Sequence, residues 1–162
     1  MRYRLIVSFV LLFAIFFLAH PLPAQTRQDA LKVLQTLQSR IEAGVNLDLL
    51  SSALDDAQTQ LGEFFDSKES AKNPEFSDLV ERALIAYQSS FLIWKSKQEY
   101  KQDLVRSDHP TAQMMLQVYP EAASLFRRNG QADALDLVSF FWERADARIL
   151  DAKRMVSGKS KR

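Results

Sequence analysis

Few residues in this chain carry side chains suited to chemistry, and their spacing argues against most of it. The chain has two histidines, His20 in an N-terminal apolar run and His109. A histidine base needs a third group to orient its ring, and zinc or di-iron sites in bundles need several inward-facing ligands. Neither Glu-x-x-His nor His-Glu-x-x-His occurs. Asp108 adjoins His109, but neighbours in sequence rarely point at each other. Ser107-Asp108-His109-Pro110 reads instead as a helix start, with small polar capping residues before a proline.

Met114-Met115 offers thioethers, which suit Cu(I). Without a cysteine, and with only His109 nearby, the pair reads better as gap-filling in a short packed helix. Gly158-Lys159-Ser160 imitates the end of a phosphate-binding loop, but Lys153 stands where that loop needs its first glycine. The absence of cysteine excludes disulfides, thiolate metal sites, a lipidated cysteine anchor and c-type haem attachment. Carboxylates alone can run glycoside hydrolysis, yet no pair stands out among the 20 acidic residues. No catalytic residue, metal or cofactor is expected, and the chain reads as a non-enzyme.

Aromatic residues and charge give the candidate contacts. Trp142 falls on the apolar arc of its helix, whereas Phe140 lies about 200° away. An aromatic so placed can anchor a partner or an apolar ligand, unless Met115 or Phe126 covers it. Residues 48–81 hold nine acidic groups and two lysines, and residues 144–162 hold seven basic and two acidic groups. The plain reading is a solvated acidic face and a basic helix end favoured by the dipole. The functional reading is a bipolar surface, with Lys153, Arg154 and the tail meeting an anionic membrane at about 1 kcal/mol per charge. Phe140, Met114, Met115, Lys153 and Arg154 are therefore the candidate partner or ligand contacts.

These residues must be positioned by helices. Ala30, Leu34, Leu37 and Ile41 form one stripe on a helix over 26–43, ending near Gly44. Asn46 is a fitting N-cap for a second helix, Asp48 suits its first turn, and Val45 and Leu50 could staple its start. Those two helices should be antiparallel neighbours. Leu47, Leu50, Leu54, Ala57, Leu61 and Phe64 give the second helix the cleanest stripe, which fades into a polar connector over 67–72.

Asn73-Pro74 should cap and open a third helix reaching Arg106. From Phe76 to Trp94 its apolar arc is wide enough to make it the central helix, touched on several sides. Two short helices, 110–119 and 120–128, are expected to cover its far end. Asn129-Gly130 is a strong turn signal before a last helix over 131–156, striped by Leu135, Val138, Trp142, Ala145, Ile149, Ala152 and Val156. No segment alternates with period two over a strand's length.

The N-terminus adds a destination. Arg2 and Arg4 precede fifteen apolar-dominated residues, Leu5 to Ala19, and then Pro21-Leu22-Pro23-Ala24. That is the pattern of a secretory signal peptide over 1–24, shorter than the roughly 20 apolar residues of a membrane span. Leu22 is a poorer residue than alanine three places before the cut, so an uncleaved membrane anchor is the alternative. Removing 24 of 162 residues leaves 138, with 19 basic against 20 acidic groups. That near-neutral balance gives no reason to expect nucleic acid as a partner.

The expectation is an all-α fold: an up-and-down four-helix-type bundle over 25–156, with short helices inserted before the last long helix and a basic disordered tail over 157–162. The expected function is a non-catalytic protein–protein interaction in the periplasm or outside the cell. The alternative is a small-molecule or lipid carrier with an apolar pocket of about 300 Å³ or more beside the Met-rich insert.

Overall fold

The computed structural model describes residues 26–44 and 46–158. The expected signal segment, the expected staple through Val45 and the basic end of the tail lie outside the described residues. Helix α1, Arg27–Glu42, starts at a capping box in which Thr26 and Asp29 satisfy each other's backbone N–H groups. Asn46 caps α2, Leu47–Phe65, accepting from the Leu49 N–H at 2.9 Å as expected. Between them Gly44 takes φ +83°, a left-handed turn that costs glycine little. Ala30, Leu34 and Leu37 of α1, and Leu50, Leu54, Ala57, Leu61 and Phe64 of α2, are buried along the expected stripes.

The connector after α2 is not wholly irregular. Ser67 turns residues Lys68–Lys72 into a short helix, α3, by accepting from the Ser70 N–H at 3.1 Å. Asn73 does not cap the next helix; its amide donates back to the Glu69 carbonyl at 2.9 Å and so closes α3. Pro74 does occupy the first turn of α4, Pro74–Tyr100, where its missing N–H is harmless.

Helix α4 is the central element. It packs on α1, α2, α3 and most extensively on α6, Ala134–Val156. Cross-pairs between α4 and α6 run in opposite directions along the chain: Trp94 meets Trp142, and Tyr87 meets Asp146. Phe64 stacks edge-on against Phe76, which ties the end of α2 to the start of α4.

Two expectations about helix ends give way to one cause. Helix α4 stops at Tyr100, where Lys101 adopts φ +56°, and residues Leu104–Arg106 form a strand, β1. Strand β1 pairs antiparallel with β2, Gln131–Asp133, so the last helix begins at Ala134 rather than at residue 131. Asp133 then caps α6 through the Leu135 N–H at 2.8 Å. The two strands clasp the base of an excursion holding α5, Pro110–Val118, and a 3₁₀ helix, Pro120–Leu125, which stops short of residue 128. Gly130 makes the return turn at φ +72°, and a Cβ there would stand 2.9 Å from the Ser107 Oγ.

Helix α6 also presents a slightly different face from the expected one. Ala134, Leu137, Val138, Phe141, Ala145, Ile149 and Ala152 are buried, whereas Leu135 is 52% exposed and Trp142 and Val156 are only partly covered. The all-α fold stands, with the short helices before the last long one. Among the described residues the only sheet is the two-stranded clasp.

Candidate apolar cleft

The short excursion lies along α4 without sealing it. Between α2, α4 and α5 a half-open cleft of about 360 Å³ remains. Its walls are Leu54 of α2, Ile85, Phe91 and Leu92 of α4, and Met114, Met115 and Val118 of α5. Asp55, Gln58 and Gln88 stand around it, and the last two join their amides at 3.0 Å. Leu92 is 40% and Met114 51% exposed, whereas Met115 is buried.

Leu92 and Met115 also line a second hollow of about 380 Å³ nearer the clasp, bounded by Tyr100, Leu104, Arg106 and His109. The two hollows therefore adjoin along one side of α4. Tyr100 and Leu104 are themselves exposed. The lining can shed water around an apolar guest, and flexible methionine side chains suit guests of varied shape.

The candidate contacts do not converge. Met114 and Met115 meet in the cleft. Phe140 sits elsewhere, with its ring edge-on to Phe141 at 5.3 Å and the Arg144 guanidinium stacked 4.8 Å from its centroid. Its cover is thus Arg144 as well as the aromatic core. Lys153 and Arg154 are exposed near the end of α6, and Arg154 pairs with Asp151 at 2.8 Å. The acidic stretch is partly answered by α1, through Arg27 on Glu69 at 3.1 Å and Arg40 on Asp56 at 3.6 Å.

His109 caps α5, its Nδ1 accepting from the Thr111 N–H at 3.3 Å. Asp108 turns to Arg106 instead, and that guanidinium holds the carboxylate below its usual range. Among the described residues no three His, Asp or Glu side chains gather as a metal ion would require.

Sequence reasoning placed the methionines but missed Leu54, Ile85, Leu92 and Val118 as their companions. The available signal was the Phe-Leu-Ile-Trp run over 91–94, whose apolar arc is wider than one neighbouring helix covers. Compared with known proteins, the chain matches no family model, no curated protein and no solved structure.

Proposed function

We propose that this chain is an exported, non-catalytic helical-bundle protein that acts by protein–protein interaction, with the cleft between α2, α4 and α5 as its contact surface. The observation that carries this reading is the largely apolar lining around the exposed Leu92 and Met114. Exposed apolar patches on an otherwise packed protein commonly mark contact sites. A half-open trough also admits an apolar edge of a partner helix more readily than it encloses a free molecule. Export rests on the basic, apolar and small-residue order of residues 1–24. No described helix is long and apolar enough to cross a membrane.

The test compares the full chain with Leu92→Glu as baits in envelope extracts, with helicity checked by circular dichroism. A partner held by the former and lost by the latter supports the reading; identical captures, or none, overturn it. Intact-mass measurement of the envelope fraction checks export, expecting loss of 24 residues.

One observation favours a second reading, a carrier of a small apolar molecule. The cleft volume of about 360 Å³ lies within the range of ligand pockets. Native mass spectrometry discriminates the two: a co-purifying small molecule displaced in Leu92→Glu marks a carrier.

A further inference from the structure

A second feature lies near the cleft but on the side of α4 that faces α6. Tyr119 is fully buried between these helices, edge-on to Phe141 at 5.7 Å, and its hydroxyl donates to the Arg82 carbonyl at 2.6 Å. Arg148 hydrogen-bonds that hydroxyl through its guanidinium, and Arg82 acts on it electrostatically. Arg144 lies one helical turn from Arg148, on the same side of α6.

The three guanidinium groups are not equally provided for. Arg82 clasps Asp78 with both carboxylate oxygens at 2.9 Å and reaches the Val118 carbonyl at 3.3 Å. Arg144 stands 3.7 Å from Glu121, too far for a hydrogen bond, and lies over Phe140. Arg148 makes no ion pair with a described carboxylate. The Nε atoms of both Arg144 and Arg148 are buried and lack a hydrogen-bond partner.

A buried guanidinium N–H without an acceptor costs free energy, and such a group usually signals a water or ion that completes it. Two guanidinium groups one helical turn apart, each with an unpartnered Nε–H and neither neutralised at hydrogen-bond distance by a carboxylate, favour an anion over water. The planar fork of arginine selects oxygens that can take two parallel hydrogen bonds. Arg144 is 43% exposed in its side chain, so the site opens to solvent. The carboxylate beside it is Glu121, which would compete weakly for Arg144, while Asp78 is engaged by Arg82.

We infer that Arg144 and Arg148, beside the Tyr119 hydroxyl, bind a small oxyanion through a carboxylate or phosphate group. This site is independent of the apolar cleft. The ligand is either a free anion or the phosphate of a lipid headgroup, and the same two arginines serve both.

The experiment titrates inorganic phosphate, and separately acetate, into the full chain while following the arginine Nε–Hε resonances by NMR. Saturable shifts at Arg144 and Arg148 are expected, with a Kd on the order of 1 mM or tighter. Arg148→Lys keeps the charge but removes the fork, and should weaken binding about tenfold or more. Glu121→Gln removes the competing carboxylate and should tighten it, while Arg128→Lys, on an exposed side chain, should leave it unchanged.

Vesicles of phosphatidylglycerol, set against phosphatidylcholine, separate the sources. Arg148-dependent binding to the former marks a headgroup site, and a response to free anions alone marks a soluble ligand. Non-saturable shifts, or equal responses in Arg148→Lys, mean that water completes these groups and overturn the inference.

Discussion

The two sides of α4 show how one apolar helix can be sealed along one face and left open along another. Toward α6 the seam is closed. The Tyr87 hydroxyl donates to Asp146 at 2.8 Å, the Trp142 indole donates to the Ser90 Oγ at 2.8 Å, and Trp94 packs edge-on to Trp142. Toward α5 the same helix leaves Leu92 exposed over an open cleft. The partners differ in length: α6 has 23 residues and α5 only 9. At 1.5 Å per residue that is about 35 Å of cover against about 14 Å. A short helix cannot close what a long one can, so the unclosed remainder is available for contact.

The largest expected effect tests the closed side. Phe141→Ala should cost about 3–5 kcal/mol, because its fully buried ring holds Tyr119 against the α4–α6 seam. Met115→Ala, at a buried wall of the cleft, should cost about 2–5 kcal/mol. Urea unfolding followed by circular dichroism measures both. A cost under about 1 kcal/mol for Phe141→Ala would mean that the seam is not where stability resides.

An intermediate effect depends on pH. Burial pushes the Tyr119 hydroxyl up to about 12, against the opposing pull of Arg148 and Arg82. A tyrosine neutral in the fold but ionising near 10 when unfolded stabilises fully below pH 10. That contribution fades as pH rises toward 12. The shift corresponds to about 2–3 kcal/mol. Burial, and then the bond to Asp146, raises Tyr87 in the same direction. Unfolding free energy should therefore fall more steeply between pH 10 and pH 12 in the parent chain than in Tyr119→Phe. Parallel curves would show that the phenol is not held neutral by the fold.

The sequence made the helices legible because their signals are local. Thr26, Asn46 and Pro74 mark helix starts within a turn of where they act, and the leucine stripe of α2 repeats every three or four residues. The clasp was not legible. Each strand has three residues, too few for alternation to register, and its partner lies more than twenty residues away. Asn73 misled because its amide found the Glu69 carbonyl behind it rather than the helix ahead. The cleft was half legible: Met114-Met115 stood out, but which residues they would face depended on tertiary packing. Arg148 carried no sequence signal, since an arginine without a facing carboxylate is recognised only once its surroundings are known.

The smallest effect is the sharpest test of the open side. Met114 is 51% exposed beside a neighbour, Met115, that is buried. Truncating Met115 leaves a void inside packed structure, whereas Met114→Ala only deepens a trough already open to water. The cost of Met114→Ala should therefore stay within about 0.5 kcal/mol. If Met114→Ala instead costs as much as Met115→Ala, the cleft is part of the core and its open volume is not available to a partner. If stability is unchanged while capture of a partner is lost, the exposed methionine is kept for contact rather than for folding. The two faces of α4 then divide stability from recognition, as the unequal lengths of α5 and α6 imply.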